Sequence, residues 1–157
     1  MSKIILVTGA NSGLGKTMTL ALAQAGHRVF ATMRDTDQNP FPPGGSISVL
    51  KMDVCDETQI AKTVRELSLV YCIEGLDVLI NNAGTVIPGP LERASRSMMI
   101  EQFNVNVFNV IAVSRQFLPL LKNRGGKILN IGSMSSRMAI PFVGLYGASK
   151  AALKQVS

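Results

Sequence analysis

The sequence has 157 residues and a mass of 16.8 kDa, with 46% hydrophobic, 17% charged and 5% aromatic residues. A chain of this length can bury roughly 70% of the surface that its unfolded form exposes, so it needs neither disulfides nor a structural metal to hold a core. Its apolar runs are far shorter than the ~18 residues of a membrane span, and its two cysteines lack CxxC spacing. These features predict one cytoplasmic domain over residues 1–157, with no membrane partner and no metal site.

The net charge of +6 raises the question of nucleic-acid binding. Residues 1–101 carry 9 basic and 10 acidic side chains, whereas residues 102–157 carry 7 basic and no acidic ones. Those seven are dispersed, with no basic run and no interleaved aromatic residues on which bases would stack. We therefore expect no nucleic-acid partner, and a missing acidic C-terminal portion explains the imbalance better.

Short apolar runs that end in turn residues alternate with stretches of helical periodicity along the chain. The predicted strands are residues 4–8, 28–33, 46–52, 77–81 and 126–131. The predicted helices are residues 14–25, 57–71, 95–122 with a bend at Pro119, and 145 onward. The alternation predicts an α/β doubly wound parallel sheet with right-handed crossovers. Because the chain stops inside the helix after the fifth strand, we expect an incomplete domain that exposes one face of its central sheet.

A glycine-rich turn, residues 8–15, joins the first strand to the first helix and reads Thr-Gly-Ala-Asn-Ser-Gly-Leu-Gly. Backbone N–H groups at a helix N-terminus lack intrahelical partners and attract phosphate, and glycines let a ligand approach them. The spacing differs from the G-x-G-x-x-G of other dinucleotide folds, so a tight turn without a ligand is the alternative.

The end of the second strand is where the type of nucleotide is selected in such sheets. A carboxylate there binds a ribose 2′-hydroxyl, whereas an arginine accommodates a 2′-phosphate. Arg34 follows the strand directly, and Asp35 lies 20 residues beyond Gly15, so the two interpretations compete. We expect Asp35 to lie past the strand end, which favours NADP(H) with NAD(H) as the alternative; a solvated loop charge is the structural alternative for Arg34.

A phenol and an ammonium occur four residues apart in Tyr146-Gly-Ala-Ser-Lys150, and this spacing places both on one helix face. A nearby cation favours the phenolate, so Tyr146 could exchange a proton with an alcohol or carbonyl. Ser133 follows the fifth strand, at the edge where open α/β sheets bind ligands, and could hydrogen-bond the reacting oxygen. Taken alone, the Tyr–Lys pair is equally typical of a helix surface.

These motifs occur in the order and spacing typical of the short-chain dehydrogenase/reductase family, which the whole chain resembles over the N-terminal three-fifths of a member. The further motifs that carry the resemblance are Asp53-Val54, Asn81-Asn82-Ala83-Gly84 and Asn106. The resemblance implies a Rossmann-type fold and reversible hydride transfer between NAD(P)(H) and an alcohol or carbonyl substrate.

The resemblance also implies roles for individual residues. Tyr146 would be the general acid/base, Lys150 would hold the nicotinamide ribose and lower the tyrosine pKa, Ser133 would orient the substrate oxygen, and Asn106 would support a proton relay. The residues implied to bind the cofactor are Gly9, Asn11, Ser12, Gly13, Leu14, Gly15, Arg34, Asp53, Val54, Asn82, Ala83, Gly84, Tyr146 and Lys150.

Some of these residues have purely structural alternatives. Asn81 and Asn82 could bond backbone at the strand end, and for Asn81 we expect that structural role. Asp53 could be a turn or helix-cap residue, and Asn106 a residue that satisfies a freed carbonyl at a helix bend.

The sequence departs from the family pattern in two respects. Asn109 stands where many relatives have glycine, and nothing corresponds to the family's last two strands. A longer form is expected to be a homo-oligomer, whereas assembly of this chain is in doubt. The competing functional hypotheses are a nucleotide-binding module without turnover and an inactive fragment of a longer dehydrogenase.

Overall fold

A computed structural model describes residues 1–157 and contains five parallel strands in the order β3-β2-β1-β4-β5. The strands are β1 Ile4–Thr8, β2 Arg28–Met33, β3 Ile47–Lys51, β4 Val78–Asn81 and β5 Lys127–Asn130. Each predicted strand is thus confirmed within one residue at either end. In the register, Ile5 of β1 pairs with Val29 of β2 on one side and with Val78 of β4 on the other.

Five α-helices connect or follow these strands, with a π-helical segment and two single 3₁₀ turns between them. The helices are α1 Gly13–Gln24, α2 Glu57–Leu69, α3 Arg96–Phe103, α4 Asn109–Lys122 and α5 Gly144–Gln155. The π-helical segment is Asn104–Phe108, and the 3₁₀ turns are Leu91–Arg93 and Met134–Ser136. None of these helices combines the length and the hydrophobicity required to cross a bilayer.

The helical region from 95 to 122 is a correction to the sequence analysis. We predicted one long helix with a bend at Pro119, but α4 continues through Pro119, and the interruption lies instead at the π-helical segment. A π turn accommodates an extra residue without ending the helix, and such turns are frequent at functional sites. Periodicity alone does not reveal it, because the flanking turns keep their helical pattern.

Alternating strand residues build two apolar layers, one on each face of the sheet. On one face, Leu6 packs with Phe30 and with Phe117 of α4. On the other face, Ile5 and Val7 pack against the apolar side of α1. Both layers are fully buried around β1, which explains why the central strand is a continuous apolar run.

The order of strands reverses at β1, which lies between β2 and β4. From β1 the chain continues to β2 and β3 on one side of β1 and then crosses to β4 and β5 on its other side, so the carboxyl ends of β1 and β4 border a crevice. At the far edge, β5 leaves Ile128 and Leu129 exposed by 41% and 49%. Because neighbouring strand residues point in opposite directions, this edge is exposed on both faces and not on the one face that we expected.

Candidate active site

A cavity of about 420 Å³ opens at the crevice beside the carboxyl ends of β1 and β4. Every residue that the sequence analysis assigned to the cofactor and that precedes α5 lines it. These residues are Gly9, Asn11, Ser12, Gly13, Leu14, Gly15, Arg34, Asp53, Val54, Asn82, Ala83 and Gly84. Residues that lie up to 75 positions apart in sequence therefore line the same cavity.

The floor of this cavity depends on two glycines. Gly9 has a φ of +63°, and a Cβ there would lie 2.9 Å from the Cα of Ala83. A Cβ on Gly15 would overlap the Gly9 carbonyl oxygen and the side-chain nitrogen of Asn82. Side chains are thus excluded at these two positions, which lets the backbone of the turn lie close to the end of β4 and leaves backbone at the cavity surface that a phosphate would meet.

The N-terminus of α1 is electrostatically suited to an anion. Ser12 is the N-cap residue, but its side chain makes no capping hydrogen bond, and the first turn contains no acidic residue. The positive end of the helix dipole is therefore not neutralised by the protein's own groups. Together with the two glycines, this end of the cavity fits the pyrophosphate of a dinucleotide.

Thr8 and Asn82 connect the glycine-rich turn of residues 8–15, called the phosphate loop below, to the end of β4. The hydroxyl of Thr8 accepts hydrogen bonds from the backbone N–H groups of Asn82 and Ala83, each at 3.0 Å. The Asn82 side chain donates to the carbonyls of Thr8 at 2.9 Å and Gly9 at 3.0 Å. Asn82 thus does bond backbone, while it also lines the cavity; Thr8 has a positioning role that the sequence analysis did not assign.

Arg34 and Asp35 have different surroundings after β2. Arg34 lines the cavity. The Asp35 carboxylate instead accepts hydrogen bonds at 2.9 Å from the Asp37 backbone and from the Gln38 side chain. Asp35 is therefore occupied within its own loop, as we expected of a residue past the strand end.

The turn between β3 and α2 contains two aspartates with different roles. Asp53 lines the cavity and accepts a hydrogen bond at 2.9 Å from the backbone of Cys55, so it is a turn residue. The cap of α2 is Asp56, which accepts hydrogen bonds from the backbone of Thr58 and Gln59. The side-chain hydrogen bonds of Thr58 and Gln59 lower the pKa of Asp56 to about 2.

Asn81 has the structural role that we expected. It is buried, and its side-chain nitrogen donates to the Ser114 hydroxyl at 3.0 Å and to the Asn130 side-chain oxygen at 2.8 Å. These bonds join β4 to α4 and β5. The partners are side chains, whereas the sequence analysis had considered backbone.

Asn106 is fully buried in the π-helical segment. Its side-chain oxygen accepts from the backbone of Thr85 at 2.9 Å, and its nitrogen donates to the Thr85 carbonyl and to the Ser149 hydroxyl, each at 3.0 Å. Ser149 donates in turn to the carbonyl of Tyr146 at 2.7 Å. Asn106 thus links the segment after β4 to α5, and does not serve merely to satisfy a freed carbonyl of its own helix.

Lys150 is buried where α5 meets the end of the cavity. Its side chain is 5% exposed, and its ammonium donates to the Ile131 carbonyl at 2.7 Å and lies 5.9 Å from the centre of the Tyr146 ring. A Cβ on Gly84 would lie 3.8 Å from this nitrogen and 3.3 Å from the Asn106 side-chain oxygen. Burial lowers the pKa of Lys150.

Ser133 lies at the start of the 3₁₀ turn that packs against α5. Its hydroxyl donates to the Ser135 hydroxyl and accepts from the Ser135 backbone, both at 3.2 Å. A Cβ on Gly147 would lie 2.9 Å from the Ser135 carbonyl, so this turn contacts the helix turn that contains Tyr146. The hydrogen bonds of Ser133 go to Ser135 and not to Tyr146. None of the four residues assigned to catalysis, Asn106, Ser133, Tyr146 and Lys150, lines the cavity.

Two further residues shape this region that the sequence analysis missed. Gln102 is fully buried on α3; its oxygen accepts from the Ile87 backbone at 2.8 Å and its nitrogen donates to the Thr85 carbonyl at 2.7 Å. Ser149 connects Asn106 to Tyr146. In the sequence, Gln102 and Ser149 appear only as polar residues within helices, and this does not identify the groups to which they hydrogen-bond.

The sequence model of the short chain dehydrogenase family matches residues 3–157. The chain belongs to this family. It is 39% identical over 157 residues to a 3-ketodihydrosphingosine reductase from Bacteroides thetaiotaomicron, a match that covers 99% of this chain and 56% of the relative. It is 34% identical over 166 residues to the human 17-beta-hydroxysteroid dehydrogenase type 1, covering 96% of this chain and 49% of the relative.

Solved structures of other dehydrogenases have the same fold. A gluconate 5-dehydrogenase from Burkholderia cenocepacia, solved in complex with NADP and tartrate, superposes with a TM-score of 0.89 at 26% identity, covering 99% of this chain and 64% of that one. The chain thus spans about half the length of the curated relatives that it matches. Family membership and the Rossmann-type fold are established by these similarities.

Proposed function

We propose that this chain carries the cofactor and catalytic machinery of an NADP(H)-preferring oxidoreductase that acts on an alcohol or carbonyl substrate. The observation that carries the proposal is the position of Lys150, buried beside the Tyr146 ring and next to Gly84, where the cavity ends. Lysine is rarely buried in proteins, because transferring its ammonium group out of water costs free energy. Perturbed ionisable groups in a cleft are typical of active sites.

The cofactor preference rests on Arg34. This guanidinium lines the cavity, whereas the carboxylate that would bind a ribose 2′-hydroxyl, Asp35, is occupied in its own loop. A planar guanidinium matches phosphate geometry and would pair with a 2′-phosphate. The NADP in the solved gluconate 5-dehydrogenase of this family is consistent with such a preference.

The proton chemistry is assigned to α5. When bound, the nicotinamide ring supplies or accepts the hydride. In the direction of reduction, the Tyr146 hydroxyl gives its proton to the carbonyl oxygen as the carbon receives the hydride, and the Lys150 ammonium stabilises the phenolate that is left. The Ser133 hydroxyl, once turned from Ser135, would donate a hydrogen bond to the same oxygen.

The substrate is proposed to be apolar around its reacting carbon. Exposed hydrophobic side chains lie on the connection after β4 and on the segment before α5, the helix that carries Tyr146; they are Val86, Leu91, Met134, Met138, Ile140 and Phe142. The Gly89 backbone donates to the Phe142 carbonyl at 2.7 Å, which joins the two segments. Methionines adapt to ligand shape, and apolar patches of this kind mark ligand-binding grooves.

Replacing Tyr146 by phenylalanine tests the proposal. We expect Tyr146→Phe to abolish carbonyl reduction, because the proton donor is lost, while NADPH binding changes by less than about twofold. NADPH consumption is to be followed with a steroid ketone and a long-chain ketone, with a keto derivative of gluconate as the polar comparison, and binding by NADPH fluorescence. Tyr71→Phe is the matched control, since Tyr71 packs against Phe30 away from the site.

A nucleotide-binding module without turnover is the second candidate. It is favoured by one observation: the assigned cofactor residues that precede α5 line a single cavity, whereas Ser133, Tyr146 and Lys150 lie outside it. Such a module would shift NADPH fluorescence without consuming NADPH in the presence of any of the substrates. Equal activity of the wild-type chain and of Tyr146→Phe would refute the acid/base assignment.

A further inference from the structure

We propose that Asn109 is a positioning residue for the cofactor, acting through Cys55. The inference rests on the proposed function, because it concerns the wall of the cofactor cavity. The two side chains form a brace between α4 and the turn after β3, and this brace fixes residues 53–55 where they border the cavity.

The brace is a hydrogen bond between residues far apart in sequence. The side-chain nitrogen of Asn109, the first residue of α4, donates to the Cys55 sulfur at 3.1 Å across 54 positions. The Cys55 backbone donates to the Asp53 carboxylate at 2.9 Å, and the Asp53 backbone donates to the Gln59 side chain at 3.0 Å. The turn is therefore held from α2 by Gln59 and from α4 by Asn109.

Cys55 separates the cofactor cavity from a second groove. It lines the cavity with Asp53 and Val54, and it lines the adjoining groove with Asn104 and Asn109. Burial and the charge of Asp53 raise the pKa of the Cys55 thiol, which keeps it neutral beside that carboxylate. A neutral thiol is compatible with an amide donor on one side and a carboxylate on the other. Asn109 thus acts on the cavity wall from behind, without lining the cavity itself.

Asn109 supplies the side-chain donor of this brace, and a residue without a side-chain donor at this position could not form it. Because α4 begins directly after the π-helical segment that holds Asn106, the same helix start would fix both the cofactor wall and the polar link to α5.

NADPH fluorescence titration of the wild-type chain and of matched variants tests the inference. We expect Asn109→Ala and Cys55→Ala each to raise the Kd for NADPH by about 3- to 10-fold, the effect of one lost hydrogen bond. Cys55→Ser keeps an acceptor at this position and should bind within about twofold of wild type. The double variant should bind no more weakly than the weaker single variant, since both changes break one interaction.

Thiol alkylation supplies a second readout within the same molecule. Cys55 and Cys72 are both exposed and free, but Cys72 lies away from the cofactor cavity. NADPH should slow alkylation of Cys55 and leave Cys72 unchanged. In Asn109→Ala, the NADPH concentration that gives half-maximal protection should rise in parallel with the Kd. Gln116→Ala on α4 is the control, with affinity and protection like wild type.

The possible results separate this inference from the proposed function. Wild-type affinity in Asn109→Ala, or a double variant whose loss is the product of the single losses, would overturn the brace while leaving the proposed function intact. If Cys55→Ser bound NADPH as weakly as Cys55→Ala, that result would also overturn the brace. Absence of NADPH binding by the wild-type chain would overturn both.

Discussion

At the residue scale, polar side chains that are adjacent in sequence differ in function because the backbone directs them to different surroundings. Arg34 and Asp35 are adjacent, yet only Arg34 reaches the cavity, whereas Asp35 closes a local turn. Asn81 and Asn82 behave similarly: Asn81 joins strands to α4, and Asn82 holds the phosphate loop. Each pair lies at a strand end, where consecutive residues point to opposite sides.

Arg34 yields a prediction on cofactor choice. We expect Arg34→Ala to weaken NADPH binding by roughly 10-fold or more, because a charge-assisted hydrogen bond to the 2′-phosphate would be lost. NADH, which lacks that phosphate, should bind with nearly unchanged affinity. Fluorescence titration with both nucleotides measures the ratio, and Asp35→Asn serves as the control. Equal weakening for the two nucleotides would show that Arg34 does not select between them.

At the element scale, α1 and α2 have N-termini of opposite character. The end of α2 is capped by Asp56 and followed by Glu57, so its backbone donors and dipole are satisfied by the protein. The end of α1 has neither a side-chain cap bond nor an acidic residue. The N-terminus of α2 is thus capped by the protein's own side chains, whereas the backbone N–H groups at the N-terminus of α1, which faces the cavity, remain available to an anion.

The cap of α2 yields a prediction on pH dependence. The pKa of Asp56 is about 2 in the folded chain, below its ordinary value of 3.8, so the unfolded chain binds more protons between these values. The cap therefore contributes stability above pH 3.8 that is lost as the pH falls through 2. We expect Asp56→Ala to lower the melting temperature at neutral pH, with a difference from wild type that shrinks towards pH 2.

Thermal melting followed by circular dichroism at several pH values measures this difference. Glu57→Ala is the comparison, since it removes an exposed charge from the same first turn but keeps the Asp56 cap, and its effect on the melting temperature should be smaller. A melting difference that stayed constant from neutral pH to pH 2 would contradict the role of the carboxylate charge.

At the scale of the whole molecule, helices pack on both faces of the parallel sheet, and this packing positions the elements that border the crevice. Phe117 is fully buried between α4 and the sheet, in the same apolar layer as Leu6 and Phe30. The layer fixes α4 and thereby the π-helical segment at its start. Stability and site geometry consequently depend on the same packing.

Phe117 yields a prediction on stability. We expect Phe117→Ala to lower the free energy of unfolding by about 3–5 kcal/mol, since a buried ring leaves a cavity that its neighbours fill only in part. The adjacent Leu118 is 39% exposed, and Leu118→Ala should cost about 1 kcal/mol or less. Urea titration of both variants measures the difference. Similar losses would mean that α4 is not anchored by its Phe117 face.

The strands and the phosphate loop could be predicted from sequence because their signals are local. Residues 4–8 form a short apolar run that is followed by a glycine-rich turn, and the later strands are likewise short stretches that end before turn residues. The π-helical segment could not be predicted, because an extra residue in one turn leaves the periodicity on both sides intact. The hydrogen bonds of Ser133 also could not, since spacing does not distinguish Ser135 from Tyr146 as its partner.

The sequence by itself determined the alternation of strands and helices, the family, and the set of side chains that gather at the crevice. These follow from hydrophobic period and from motif order, which are encoded by neighbours along the chain. Only the tertiary structure decided that Lys150 is buried, that Asp35 turns away while Arg34 does not, and that Asn109 bonds Cys55. These depend on how distant elements pack, because burial and hydrogen-bond partners are set by the three-dimensional surroundings of each group.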